Sequence, residues 1–167
     1  MNKSIFFYDR VLYMFSQTTI YALRAIGYIA SQDESKMVLA KAISEKMDIP
    51  KNFLSKILHK LVQKGFIDSI RGIGGGFRLA KPAKEIFLKQ IVELFMNLNH
   101  FHNCFLGIHS CHRCGIHKKW NKISEQIISL LEESTVDQIF SDIEEILVCN
   151  STENCCNNNV KIQEQKL

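Results

Sequence analysis

Lys51-Asn52-Phe53-Leu54-Ser55-Lys56-Ile57-Leu58-His59-Lys60-Leu61-Val62-Gln63-Lys64-Gly65 is the stretch from which the rest of the chain can be read. Leu54, Ile57, Leu58 and Leu61 recur at the spacing of one buried helix face, which predicts a helix over 51–64. Gly65 follows at the position where a left-handed residue commonly ends a helix. Just upstream, Asp48-Ile49-Pro50 interrupts the pattern, because proline restricts the residue before it and cannot continue the hydrogen-bond ladder. Before that break, Leu39, Ala42, Ile43 and Met47 make a second, short helix. Downstream, 66–70 and 77–80 read as two short strands around the glycine-rich turn Arg71-Gly72-Ile73-Gly74-Gly75-Gly76.

Two short helices joined by a tight turn and followed by a two-stranded hairpin form a winged helix-turn-helix. With its leucines and isoleucine in the core, the 51–64 helix presents Lys51, Asn52, Ser55, Lys56 and His59 outward. These are donor-bearing side chains of the kind that reach major-groove base edges and flanking phosphates. On the hairpin, Arg71 and Arg78 flank the glycine run that includes Gly74, whose backbone can approach a sugar-phosphate chain closely or slip into a minor groove. Lys56 and Lys60, taken singly, are solvated charges, and the glycine run lacks the Gly-Lys-Ser/Thr ending of a P-loop. In combination these features carry more weight, because charge is unevenly placed. Residues 36–84 hold eleven Lys and Arg against three Asp and Glu, a local net of +8 within an overall +4. Such a segment points to double-stranded DNA, since phosphate contacts release condensed counterions.

Outside this segment, Ala22, Ala25, Ile26 and Ile29 predict a first helix over about 16–30, followed by the polar loop 31–35. Leu88, Ile91, Val92 and Phe95 predict a fourth helix over 84–95, after which a His/Cys/Gly loop, 99–115, breaks the pattern. Trp120, Ile123, Ile127, Leu130 and Leu131 mark a long helix with a narrow apolar seam. Val136, Ile139, Phe140, Ile143 and Leu147 mark a last amphipathic segment, and the polar, asparagine-rich remainder reads as disordered. The chain thus divides into a winged helix-turn-helix (13–96), a cysteine-rich loop (97–117), a helical part (118–148) and a tail (149–167).

The 167 residues are 46% hydrophobic and 23% charged, ordinary for a globular domain. No apolar run nears the roughly 18 residues needed to span a bilayer. Ile5-Phe6-Phe7-Tyr8 is a short patch broken by Asp9 and Arg10, without the core and cleavage site of a signal peptide. The expectation is a cytoplasmic protein with neither a membrane partner nor a small-molecule substrate. In that compartment six cysteines point to metal or redox chemistry rather than a disulfide framework. They fall in two clumps, Cys104/Cys111/Cys114 and Cys149/Cys155/Cys156. Cys111-x-x-Cys114 lacks the βαβ surroundings of a thiol oxidoreductase, and no paired carboxylates or nucleophile–base set suggests another enzyme.

Tyr21-Ala22-Leu23-Arg24-Ala25, the wing Arg71-Gly72-Ile73-Gly74-Gly75-Gly76-Phe77-Arg78-Leu79, and Cys104-Phe105-Leu106-Gly107 followed by Cys111, Cys114, His117 and Trp120 resemble the IscR/NsrR family. These are bacterial winged-helix transcription regulators, many of which sense through an iron–sulfur cluster. The resemblance spans about 13–140 and implies a mainly α fold with a small β-hairpin wing and a long C-terminal dimerisation helix, here about 118–133. It implies a homodimer, each subunit reading half of a pseudo-palindromic operator, and adds Phe53 to Asn52, Ser55, Lys56 and Arg71 as positions that touch DNA. It further implies a regulator, a repressor by expectation, responding to iron–sulfur status, redox or nitric oxide. Three departures stand out. Twelve residues precede the usual start, Ile20 replaces an aspartate ligand of the nitric-oxide-sensing branch, and only two residues separate Cys111 from Cys114.

Cys104, Cys111, Cys114 and His117 are separated by six, two and two residues. Thiolates and imidazole suit either an iron–sulfur cluster or zinc. The resemblance favours the cluster and places a histidine ligand at His117, since Ile20 cannot ligate. A histidine ligand in turn favours a two-iron over a four-iron cluster, with zinc as the alternative. His100, His102, His109 and His112 are further donors nearby.

Overall fold

The computed structural model describes residues 14–102 and 115–140. Helix α1 (Gln17–Ala30) starts at Ser16, whose hydroxyl oxygen accepts from the Thr19 N–H at 3.1 Å and so satisfies one of the donors a helix start leaves over. Helices α2 (Ala40–Lys46) and α3 (Lys51–Gln63) are joined by a turn in which Asp48 takes a left-handed φ of 50°. Gly65, at φ 69°, ends α3 as its sequence position predicts, with the Phe66 N–H donating back to the Leu61 carbonyl. The hairpin follows as β1 (Ile67–Ile70) and β2 (Gly76–Leu79), antiparallel and in register from Ile67↔Leu79 to Ile70↔Gly76. Ala22, Ala25 and Ile26 of α1, Ile43 of α2, and Leu54, Ile57 and Leu61 of α3 are fully buried in one core with Ile67, Ile86 and Ile91.

The wing is not an isolated ribbon. Val38, which no sequence pattern assigns to an element, exchanges two backbone hydrogen bonds with Phe77, at 2.8 and 2.9 Å. That bridge fastens β2 to the entrance of α2 and requires Gly76. A Cβ there would lie 2.7 Å from the Val38 carbonyl oxygen, with backbone rather than a yielding side chain in the way. Gly76→Ala is therefore expected to lower stability by about 1 to 3 kcal/mol through forced overpacking. Urea unfolding measures the loss, and loosened wing amides in hydrogen exchange locate it.

Helix α4 runs Leu88–Phe95 and begins four residues later than its periodicity predicts. Ala83–Glu85 forms a 3-10 turn instead, and Ile86 is extended. The backbone of this region is engaged elsewhere: the Ile86 carbonyl accepts from Val136, and the Leu88 N–H donates to the Ser134 carbonyl, each at 2.9 Å. Groups committed to a neighbouring segment cannot serve an intrahelical ladder. The same contacts correct the last amphipathic segment. After α5 (His117–Glu133) the chain leaves helical geometry at Ser134 and makes only a 3-10 turn, Val136–Phe140. Residues 141–147 of the expected segment, and the tail, lie outside the described residues.

The 99–115 loop also begins later than pattern suggests. Leu98–His102 is a 3-10 turn whose Leu98 and Phe101 are buried with Val92 of α4 and Leu131 of α5 in a second cluster. The Phe101 ring meets Phe15 edge-on at 5.7 Å. Lys89 ties the same two helices at the surface, donating to Glu132 Oε1 at 2.7 Å. That hydrogen bond holds the Lys89 ammonium above the usual lysine range, so on the alkaline side the tie persists until pH rises past that range. Among the described residues no helix is long and apolar enough to cross a membrane.

Candidate nucleic-acid interface and cysteine loop

With Leu54, Ile57, Leu58 and Leu61 buried, α3 exposes Lys51, Asn52, Ser55, Lys56 and His59, the set its spacing predicts. The helix carries no acidic residue, so nothing on it repels phosphate. Phe53 is only 44% exposed, and its ring meets Tyr21 of α1 edge-on at 6.0 Å. It braces the outward helix against α1 while keeping nearly half of its surface in solvent. The Ser55 hydroxyl donates to the Lys51 carbonyl at 2.9 Å, which leaves its oxygen free as an acceptor. Arg71 and Gly74 are exposed at the hairpin end. Arg78, opposite Asp68 in the register, sits 3.4 Å from its carboxylate and lines a cleft of about 240 Å3 with Asp33, Glu34, Lys36 and Lys81. The two wing arginines are thus unequal. Arg71 stands at the end of the hairpin without an acidic partner among the described residues, whereas Arg78 is held at its side.

Lys60 departs from its reading as a solvated charge. It is half-buried, donates to the Leu94 carbonyl at the end of α4, and places its ammonium 5.1 Å from the Phe95 ring centroid. A cation satisfying a last-turn carbonyl is favourable there, because helix C-termini carry partial negative charge. The outward-facing helix is thereby fastened to the segment that leads, through Leu98–His102, toward the cysteines. No pattern in sequence pairs positions 60 and 94. Lys60→Met should keep the stem packing, lose the charge-assisted bond and cost about 1 to 2 kcal/mol. Thermal unfolding reads the loss, and an unchanged transition would show the contact to be idle.

Cys104, Cys111 and Cys114 lie outside the described residues, as do Cys149, Cys155 and Cys156 and the spare donors His109 and His112. The segments bordering residues 103–114 are described. Before them, Phe101 is anchored in the second cluster; after them, His117 is the first residue of α5. The Nδ1 atom of His117 is buried and has no hydrogen-bond partner among the described residues. A buried polar nitrogen left unpaired costs on the order of 1 to 3 kcal/mol, so this imidazole fits a site where a ligand engages it. Among the described residues no three His, Cys, Asp or Glu side chains gather as a metal site. Ile20, in α1, offers no donor.

A recognition-type helix without acidic residues, a docked hairpin and a long following helix are the architecture of a winged-helix DNA-binding protein. The model of the Rrf2 family, described as an iron-dependent transcriptional regulator, matches residues 15–142, and the chain belongs to that family. It is 30% identical over 133 residues to the HTH-type transcriptional regulator NsrR of Oceanobacillus iheyensis, covering 77% of this chain and 90% of that protein. Among solved structures, CymR, the global cysteine regulator of B. subtilis, superposes with a TM-score of 0.65 at 18% identity, over 76% of this chain and 95% of CymR. IscR of T. potens superposes at 0.62 and 22% identity, over 78% and 88%. These two likenesses concern the fold.

Proposed function

We propose that the protein is a homodimeric repressor that binds a pseudo-palindromic operator and senses iron–sulfur status, redox or nitric oxide. Its ligands would be Cys104, Cys111, Cys114 and His117. The observation that carries the sensor reading is the buried Nδ1 of His117 at the start of α5, unpaired among the described residues and three residues after Cys114. When bound, an iron–sulfur cluster, two-iron in preference to four-iron, supplies a redox-active centre there. Zinc would satisfy the same donors without signal chemistry.

The chain's own residues provide a route from that loop to DNA. Phe101 and Leu98 on one side of the loop and Leu131 of α5 on the other share one apolar cluster with Val92 of α4. Lys60 then links the end of α4 to α3. A change of ligation at His117 would therefore bear on packed elements that position Asn52, Ser55, Lys56 and His59. For DNA contact we assign Lys51, Asn52, Phe53, Ser55, Lys56 and His59 to the major groove and its flanking phosphates, and Arg71, Gly74 and Arg78 of the wing to the adjoining backbone and minor groove.

Dimerisation is supported by α5. Ile116, Ile123 and Leu130 repeat every seven residues and are 51%, 47% and 58% exposed, while Leu131 faces the protein's own core. A seven-residue apolar repeat left in water is the seam of a helix pair. The test of the sensor reading is purification without oxygen, followed by visible absorption and metal analysis. A brown protein containing iron and sulfide is expected; a colourless protein containing zinc would leave a regulator with a structural metal.

A further inference from the structure

The hairpin ends in an unusual way for a turn. The ladder stops at Ile70↔Gly76, and the Gly75 N–H donates to the Gly72 carbonyl at 3.0 Å, closing a β-turn with Ile73 and Gly74 at its centre. Gly74 has φ 78°, the value a type II turn demands at its second central position, so Ile73 occupies the first and stands at the apex. Among the described residues nothing covers it: Ile73 has 110% of the reference exposure of its type. From Gly72 to Gly76 it is also the sole residue with a side chain, so bare backbone surrounds one β-branched apolar group. The turn does not need isoleucine, because glycine, proline and small polar residues serve turns best. Arg71 borders the tip, and no acidic residue lies between Asp68 and Glu85.

We infer that Ile73 is an apolar wedge that enters the DNA minor groove beside each half-site and partly unstacks a base step. The inference rests on the DNA-binding reading above and adds a source of specificity to it. A minor groove is about 6 Å wide, too narrow for a hairpin studded with side chains but open to a glycine backbone bearing a single blade. Arg71 matches the groove's negative potential, and isoleucine is among the side chains able to part stacked bases. Steps that unstack at low cost, TA and CA/TG, are then preferred at positions where no hydrogen bond reads the base. The protein also bends its operator.

The test uses the full chain and a duplex that the wild-type protein selects from a random library. Fluorescent aminopurine is placed in turn at each flanking step, and dyes at the duplex ends report bending. Wild type is expected to raise aminopurine fluorescence at one step per flank and to shorten the end-to-end distance. Ile73→Gly is expected to abolish both signals and weaken binding about tenfold, with the salt dependence unchanged because no phosphate contact is lost. Ile73→Leu is expected to retain both signals. Since Ile73 packs against none of the described residues, these variants fold as wild type does. An Ile73→Gly protein that bends and unstacks the duplex like wild type would overturn the inference, as would weaker binding with the bend intact. If wild type selects no duplex at all, the DNA-binding reading itself fails.

Discussion

Ile123→Glu combined with Leu130→Glu is expected to yield a folded monomer with little operator affinity. In a dimer each substitution enters the seam twice, exchanging an apolar side chain whose full burial contributes about 1.5 to 3 kcal/mol for a carboxylate that resists desolvation. A weakening of self-association by about a thousandfold or more follows from four such replacements, read by light scattering across a concentration series. The fold should survive, because both positions are about half exposed in the protomer. Leu131 provides the contrast: it is 2% exposed, and Leu131→Ala should cost about 2 to 5 kcal/mol of stability by opening a cavity. A monomer reads one half-site at a time and forgoes the effective concentration that links the second head to the first. Operator affinity should therefore fall by about a hundredfold or more. A double variant that remains dimeric would place the subunit interface elsewhere.

Cys111→Ala is expected to remove the visible absorption of anaerobically prepared protein and to fix its operator affinity at the metal-free value. On the proposed ligand set Cys111 supplies one of three thiolates, and coupling between a sensor site and DNA typically spans about 5- to 150-fold in affinity. His117→Cys and His117→Ala separate ligation from packing. Exchange of imidazole for thiolate should retain a chromophore with a shifted spectrum and lowered potential, whereas alanine should give a labile or absent one. Unaltered spectra in both would remove His117 from the ligand set while leaving the cysteines in question.

The winged helix-turn-helix was legible because its signals are local. The α3 leucines, Pro50 and Gly65 each state a helix face or boundary, and the glycine run states a turn. What sequence hid were long-range pairings. Val38 completes the wing only through Phe77, and Ile86 and Phe87 are extended because residues 134–136 engage the backbone on either side of them. Lys60 reads as a surface cation until Leu94 and Phe95 are brought beside it. The α5 seam was visible as an apolar stripe, but its division into an inward Leu131 and an outward Ile123 and Leu130, with Ile116 one heptad before them, required α4 in place. At the cysteine loop the order is reversed. Ligand types and spacing came from sequence and resemblance, while structure contributes the buried His117 nitrogen and the packed borders.

The most direct measurement is operator affinity of the iron-loaded and metal-free forms of one anaerobic preparation, at matched ionic strength. The account predicts affinities that differ at least fivefold, with the operator altering the rate of iron loss, since coupling between two sites is reciprocal. Equal affinities, with iron loss indifferent to DNA, would contradict it.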